Sequence, residues 1–267
     1  MARSETNLMP RFWVTLLMIY LLLPLVATGL YAFAGKWEDT LLPDTWTLEW
    51  FRQMFSDILY WEALWRSVYL CLTSVIITLA VILPAVFVIT VYFPRLEVLL
   101  KSIAVLPYAV PGVVAAVGLI RTYSSGPFAI SGTSFLLIGA YFVVALPYMY
   151  QGISNSLRTV SAVELLNAAE LLGASTARAF WTVIVPNIWP GVLISTLLSF
   201  SILFGEFALT NMLVGGHIKT MQIYLYERMN ESGHTASAIA ISYFVFILII
   251  SGVFMKLGTM VRGGAEK

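Results

Sequence analysis

Residues that could do chemistry are sparse in this 267-residue sequence: 14 acidic and 15 basic side chains, two histidines and one cysteine. Glu206, in the run LLSFSILFGEFALTNML, is the one acidic residue well inside an apolar stretch. A carboxylate at mid-bilayer costs roughly 3 kcal/mol on insertion scales, so Glu206 should face protein or water and is a site candidate by default. If the run is one helix, Ser195, Ser199, Glu206 and Thr210 lie within an arc of about 60° at about 100° per residue, forming one polar stripe. Two readings stand side by side. The stripe lines a polar pathway, or Glu206 reaches headgroups at the outer end of its helix or pairs with an arginine such as Arg66 or Arg121.

Enzymatic chemistry finds no residues. GGHIKT, from Gly215 to Thr220, has the Lys and Thr of a phosphate loop but lacks the Gly before Lys. His217 and His234 lack H-E-x-x-H spacing and read as solvated, and no G-x-S-x-G elbow is present. The expectation is a chain with no catalytic residue, no metal and no cofactor of its own, and no nucleic-acid partner. Cys71 is alone, so no intrachain disulfide can form.

The elements that must position these residues are membrane helices. With 60% hydrophobic and 11% charged residues, the chain reads as an all-α integral membrane protein, a single membrane domain over 1–267 in contact with lipid. Six apolar runs at about 12–34, 64–91, 98–120, 135–153, 188–213 and 236–257 each approach the ~20 residues that a bilayer requires. The first run resembles a signal peptide, with Ala32-Phe33-Ala34 imitating a cleavage site, but its length favours a retained span. The loop after it, through Glu62, carries six acids and four tryptophans and suits an external segment that hugs the interface.

Counting cations with the N-terminus inside puts Arg3, Arg11, Arg95, Lys101, Arg158, Arg178, Lys256, Arg262 and Lys267 on the inner side. Lys36, Arg52, Arg66, Arg121, Lys219 and Arg228 fall outside. Five acids inside (Glu5, Glu97, Glu164, Glu170, Glu266) against eight outside reinforce the bias. Both termini are therefore expected to be cytoplasmic. Prolines are expected to interrupt three spans: Pro84, the pair Pro107 and Pro111 in LPYAVPG, and Pro147. Such breaks serve helix packing or line a cavity. Tyr108 and Pro111, with Gly112, are the strongest candidates for an irregular pathway segment.

The stretch from Ser161 to Pro190 is semi-polar and helix-forming. Ser161 and Glu164 have capping-box spacing, which predicts a helix start. Leu165, Ala169 and Leu172 at i, i+4 and i+7 give an apolar stripe, with Asn167 and Glu170 off it. Gly173 supplies a left-handed stop, and Ser175 or Thr176 can cap a second short helix ending before Pro186. The segment is too short to span and too apolar to be a free loop, so it lies on lipid or docks against a protein.

Its spacing resembles the signature loop of ABC-importer permeases. Asn167-Ala168-Ala169, three residues, Gly173, nine residues and Val183-Ile184-Val185-Pro186 stand where that family has Glu-Ala-Ala, Gly and Ile-x-Leu-Pro. Asn167 replaces the family Glu, leaving Glu164 or Glu170 to substitute. LPYAVPG, SSGPFAISGT and GEFALT resemble permeases for spermidine/putrescine, 2-aminoethylphosphonate and ferric iron. The resemblance implies a type I importer permease of the bacterial inner membrane: six spans with a cytoplasmic coupling helix between spans four and five. It implies a small polar solute, a second and related permease chain, two ATPase subunits carrying ATP and Mg, and an external substrate-binding protein. Glu164, Leu165, Asn167, Ala168, Ala169, Glu170, Leu172, Gly173 and Pro186 are the expected ATPase-coupling residues over 161–186. Glu206, Ser199, Thr210, Tyr108 and Pro111 are the pathway candidates. A secondary transporter or channel subunit working without an ATPase is the competing reading.

Overall fold

A computed structural model describes residues 8–37 and 40–265. Arg3, Glu5, Glu38, Asp39, Glu266 and Lys267, used above in the charge count, lie outside the described residues. The structure is almost wholly helical, as an apolar chain must be to satisfy its backbone in lipid. Among the described residues, five helices are long and apolar enough to cross a membrane: Met9–Phe33, Ile58–Tyr92, Ser134–Thr159, Thr176–Phe204 and Gly233–Lys256. A sixth candidate is the pair Pro94–Ala109 and Gly112–Tyr123, bent by 100° at its break.

The chain divides into two compact units. The first comprises Met1–Trp61 and Tyr224–Phe246. It contains α1 (Leu8–Phe33), a short antiparallel pairing of β1 (Ala34–Lys36) with β2 (Thr45–Trp46), and the amphipathic α2 (Glu49–Ser56). The expected interfacial loop is thus a folded hairpin and helix. Its indoles are anchored: Trp50 Nε1 donates to the Ala34 carbonyl at 2.8 Å and Trp61 Nε1 to that of Phe55 at 2.9 Å. Ala32 and Ala34 of the cleavage-like triplet are fully buried. His234 departs from the expectation of a solvated residue. Its ring stacks between Tyr31, at 4.0 Å, and Trp50, at 5.2 Å, and its Nδ1 lies 2.9 Å from the Tyr31 carbonyl oxygen.

Asp57 closes this unit. Its Oδ1 accepts from the Leu59 amide at 2.9 Å, and its Oδ2 accepts from Tyr224 at 2.8 Å and from Arg228 at 2.6 Å. Burial alone would raise the Asp57 pKa, but the bonds from Tyr224, Leu59 and Arg228 outweigh it and hold the carboxyl below its ordinary 3.8. Burial, followed by the bond to Asp57, pushes the Tyr224 hydroxyl up to about 12.

The second unit, Glu62–Ile223 with Ile247–Lys267, is built around α6 (Ser134–Thr159) and α9 (Val185–Phe204). Their contact face is made of small residues. A Cβ placed on Gly152 would collide with the Ser195 side chain, and one on Gly191 with Ser156. Glycine at both positions lets the two backbones approach, as small residues do at membrane helix crossings.

Of the expected interruptions, the one at Pro107 and Pro111 is found, those at Pro84 and Pro147 do not end their helices, and a break appears at 205–207 where none was expected. α3 (Ile58–Tyr92) and α6 continue through Pro84 and Pro147 without ending. The predicted span at 98–120 is instead α4 (Glu97–Val105), a 3₁₀ turn (Leu106–Ala109) and α5 (Gly112–Tyr123). Val110 is extended, with φ −105° and ψ 114°, because the ring of Pro111 disfavours the α region in the preceding residue. The predicted span at 188–213 stops at Phe204, and a separate short helix, α10 (Ala208–Val214), follows the break at 205–207.

Candidate functional site

Two regions of the second unit hold most of the candidate residues. The first is the 161–186 segment. α7 (Ala162–Leu171) begins after Ser161 as expected, but not through a capping box. Ser161 is left-handed at φ 48° and makes no side-chain cap, while its carbonyl takes the Glu164 amide at 2.9 Å.

The stop at the other end follows the expectation closely. Gly173 has φ +86°. Its amide donates to the Glu170 carbonyl at 2.9 Å and that of Ala174 to Ala169 at 3.0 Å, which is the paired closure of a Schellman motif. Ser175 then accepts from the Arg178 amide and caps α8 (Thr176–Ala179). This second helix does not end before Pro186. It passes through a π turn, Phe180–Ile184, directly into α9, where Pro186 is the second residue. The wider turn absorbs the missing amide of Pro186 and the bulk of its ring.

The buried stripe of α7 keeps Ala169 of the predicted one but not Leu165 or Leu172. Ala162, Leu166 and Ala169 pack inward, Leu165 is half-buried, and Leu172 is 90% exposed, with Leu171 at 89%. Glu164, Asn167, Ala168 and Glu170 are exposed. Among the described residues Glu170 makes no ion pair; it accepts from Thr176 Oγ1 at 2.7 Å. Two contacts that the sequence did not suggest fix the segment in place. Arg158, at the end of α6, pairs with Glu97 at the start of α4. Phe180 is buried against Phe87 of α3 with ring centroids 4.6 Å apart. A rigid base therefore presents an exposed rim that mixes two leucines with polar groups.

The second region lies where the two broken segments meet. Glu206 sits not in mid-helix but in the turn at 205–207. Its Oε1 accepts from the Leu209 amide at 2.9 Å, and its Oε2 accepts from the amide and the hydroxyl of Thr210, both at 2.9 Å. The carboxylate caps α10. Thr210 is fully buried and shares a 2.7 Å hydrogen bond with Tyr141 of α6, a residue that sequence reading passed over. The available signal was that a tyrosine inside an apolar run needs a polar partner for its hydroxyl.

Among the described residues Glu206 pairs with neither Arg66 nor Arg121; the Arg66 guanidinium reaches Glu62 and the Lys219 carbonyl instead. Oε1 lies 3.9 Å from where a Gly112 Cβ would stand, so the carboxylate abuts the start of α5. Ser195 and Ser199 are buried, with hydroxyls returned to the Val192 and Ser195 carbonyls of their own helix. The continuous polar stripe does not form, because the break at 205–207 separates its two halves.

A cavity of about 720 Å³ opens beside this junction. Ile103, Leu106 and Pro107 line it before the break, Gly112, Gly118 and Leu119 after it, and Val143 and Leu209 complete the wall. The lining is apolar, and Glu206 is the acidic group at its margin. Tyr108 is 51% exposed and meets Tyr148 edge-on at 5.4 Å; Pro111 is exposed at the start of α5.

Residues 76–257 match the family described as binding-protein-dependent transport system inner membrane component. Among curated relatives, the chain is 25% identical to the 2-aminoethylphosphonate transport system permease protein PhnV of Salmonella typhimurium over 94% of this chain and 93% of that one. It is 29% identical to the Fe(3+)-transport system permease protein FbpB 2 of Haemophilus influenzae over 67% of this chain and 34% of the relative. Among solved structures, a bacterial ABC transporter that imports the acidic polysaccharide alginate superposes with a TM-score of 0.71 at 15% identity, covering 95% of this chain and 98% of that one. The MetNI methionine ABC transporter, in inward-facing form, gives 0.64 at 16% identity over 77% and 99%.

Proposed function

The chain belongs to the family of binding-protein-dependent transport system inner membrane components, and from that premise we propose that it forms half of the translocation pathway of an ATP-driven importer. It is a permease component of the inner membrane and not an enzyme. The work of ATP hydrolysis falls to two separate ATPase subunits, and a second, related permease chain supplies the other half of the pathway. An external binding protein delivers a small polar solute.

The observation that carries this reading is the exposed rim of α7. Leu171 and Leu172 stand in the open at the end of a short helix whose base is buried and whose exit is fixed by the positive φ of Gly173. Two adjacent leucines nine-tenths exposed beside Glu164, Asn167, Ala168 and Glu170 suit a socket on a soluble partner better than lipid, since the same rim carries two carboxylates. Closure of the ATPase pair on ATP would push on this helix. Phe180 and the Arg158–Glu97 pair pass the displacement to α3, α6 and α4, and the cavity beside the break changes its access. For the solute, likeness to PhnV along nearly the whole chain supports a 2-aminoethylphosphonate-like compound over a polyamine. Glu206 is committed to capping amides, which leaves the cavity margin poor in free negative charge.

The test is to tag the protein, extract it gently from its native membrane and count what co-purifies. Recovery with two copies of a phosphate-loop ATPase and a second permease chain is the expected result. Recovery of the protein alone, under conditions that keep other importers intact, would favour a carrier or channel that works without an ATPase.

A further inference from the structure

The two breaks in this chain meet at one side chain, and nothing in the proposed function explains why it should be a carboxylate. We infer that Glu206 is a positioning residue that latches the break at 205–207 to the break at 109–112, so that α10 and α5 move together during transport. This rests on the importer reading and assigns Glu206 a role in the conformational cycle, not in contact with solute.

The geometry argues it in three steps. First, the carboxylate's acceptors are largely used: Oε1 takes the Leu209 amide, and Oε2 takes the amide and hydroxyl of Thr210. A carboxylate offers about four acceptor positions, so one remains, on Oε1. Second, Oε1 is also the oxygen nearest Gly112, 3.9 Å from the position of an added Cβ. Gly112 opens α5, a twelve-residue helix whose N-cap, Pro111, makes no side-chain cap. Helix starts carry partial positive charge, and the carboxyl group lies between two of them: one it caps outright and one it faces. Third, Thr210 passes the attachment inward, through its 2.7 Å bond to the buried hydroxyl of Tyr141 on α6. Leu209, whose amide is held by Glu206, also lines the cavity and stands 3.8 Å from the added Cβ of Gly112. A shift of the carboxylate would thus move a wall residue and both helix starts at once. A solute-binding acid would instead keep its oxygens turned to the cavity.

The experiment follows amide exchange in the intact importer, with and without ATP trapped by vanadate, and needs no knowledge of the solute. In the wild type, peptides covering 109–114 and 205–210 should change protection together when ATP is trapped. In Glu206→Gln, which can accept at only one atom, exchange at 205–210 should rise about tenfold, and the ATP response of the two peptides should separate. Thr210→Val should produce the same separation. The double variant should be no worse than either single one, because both act on one unit. Thr210→Ser, which keeps the hydroxyl, should restore the paired response. Unchanged exchange in Glu206→Gln, or additive effects in the double variant, would overturn the latch. If the wild-type complex shows no ATP-dependent change anywhere in the chain, the importer reading itself fails, and the latch falls with it.

Discussion

Asp57 shows how much a single residue can hold when its partners converge. In the sequence it is one of eight acids assigned to the outer side. In the structure it caps the start of α3 through Leu59 and gathers Tyr224 and Arg228 on its other oxygen. Arg228 in turn lies over the Tyr224 ring at 5.2 Å and bonds Glu231. Because the folded carboxyl keeps its charge more readily than the unfolded one, its contribution is complete above the ordinary 3.8 and is lost as pH falls through the lower folded value. Asp57→Asn should therefore destabilise the protein near neutral pH by about 1–2 kcal/mol, the scale of a charge-assisted bond with partial solvent access. The gap between variant and wild type should narrow below about pH 4 and close beneath the folded pKa. Thermal unfolding of both in detergent across that range checks this, and a gap that stays constant with pH would assign the loss to shape instead of charge.

At the scale of elements, the short helix α7 was legible at its end and misread at its start. Gly173 is readable because only a residue without a Cβ takes φ +86° at no cost, whereas the Ser161 spacing fits a capping box whether or not the backbone turns the hydroxyl toward the helix. Ala169 of the predicted stripe is buried, but Leu166 takes the place of Leu165, because adjacent leucines fit the same period and periodicity alone does not choose between them. Polarity and spacing put Ser195 and Ser199 on one stripe with Glu206; that Ser195 instead stands against Gly152 of α6 depends on what faces it across the helix crossing. An added Cβ at Gly173 meets nothing within 4 Å, so any penalty there is purely one of backbone conformation. Gly173→Val should cost roughly 1–2 kcal/mol at the turn and leave the protein inserted, yet lower the coupling of ATP hydrolysis to transport. Gly173→Asn, a residue that tolerates the left-handed region, should retain most of it. The readout is stimulation of the reconstituted ATPase by its binding protein, and equal stimulation in both variants would remove the turn from the coupling path. Gly152→Val, by contrast, should lower the yield of folded protein, since its side chain must displace Ser195 at an overpacking cost of about 1–3 kcal/mol.

For the molecule as a whole, composition located every long apolar segment, because hydropathy over some twenty residues survives local error. What composition cannot distinguish is a broken span from one that enters the membrane and turns back, and the 100° bend between Ala109 and Gly112 leaves that choice to topology. The charge count favours a full crossing. If the pair crosses, nine cations lie inside and six outside; if it is re-entrant, Arg121, Lys219 and Arg228 move in while Arg158, Arg178, Lys256, Arg262 and Lys267 move out, leaving seven inside and eight outside, against the inner excess of cations. The consequence is a parity that can be measured. Between Leu42 and Leu172 lie α3, the bent pair and α6, so the two leucines stand on opposite sides if the pair crosses and on the same side if it does not. Both are well exposed, at 59% and 90%, and the chain's one native cysteine, Cys71, is buried, which makes a Cys71→Ala background simple to prepare. In that background, Leu42→Cys should react with a membrane-impermeant maleimide in spheroplasts, and Leu172→Cys only after permeabilisation. Labelling of both before permeabilisation would make the bent pair re-entrant and move α7 to the outer face, out of reach of any cytoplasmic ATPase.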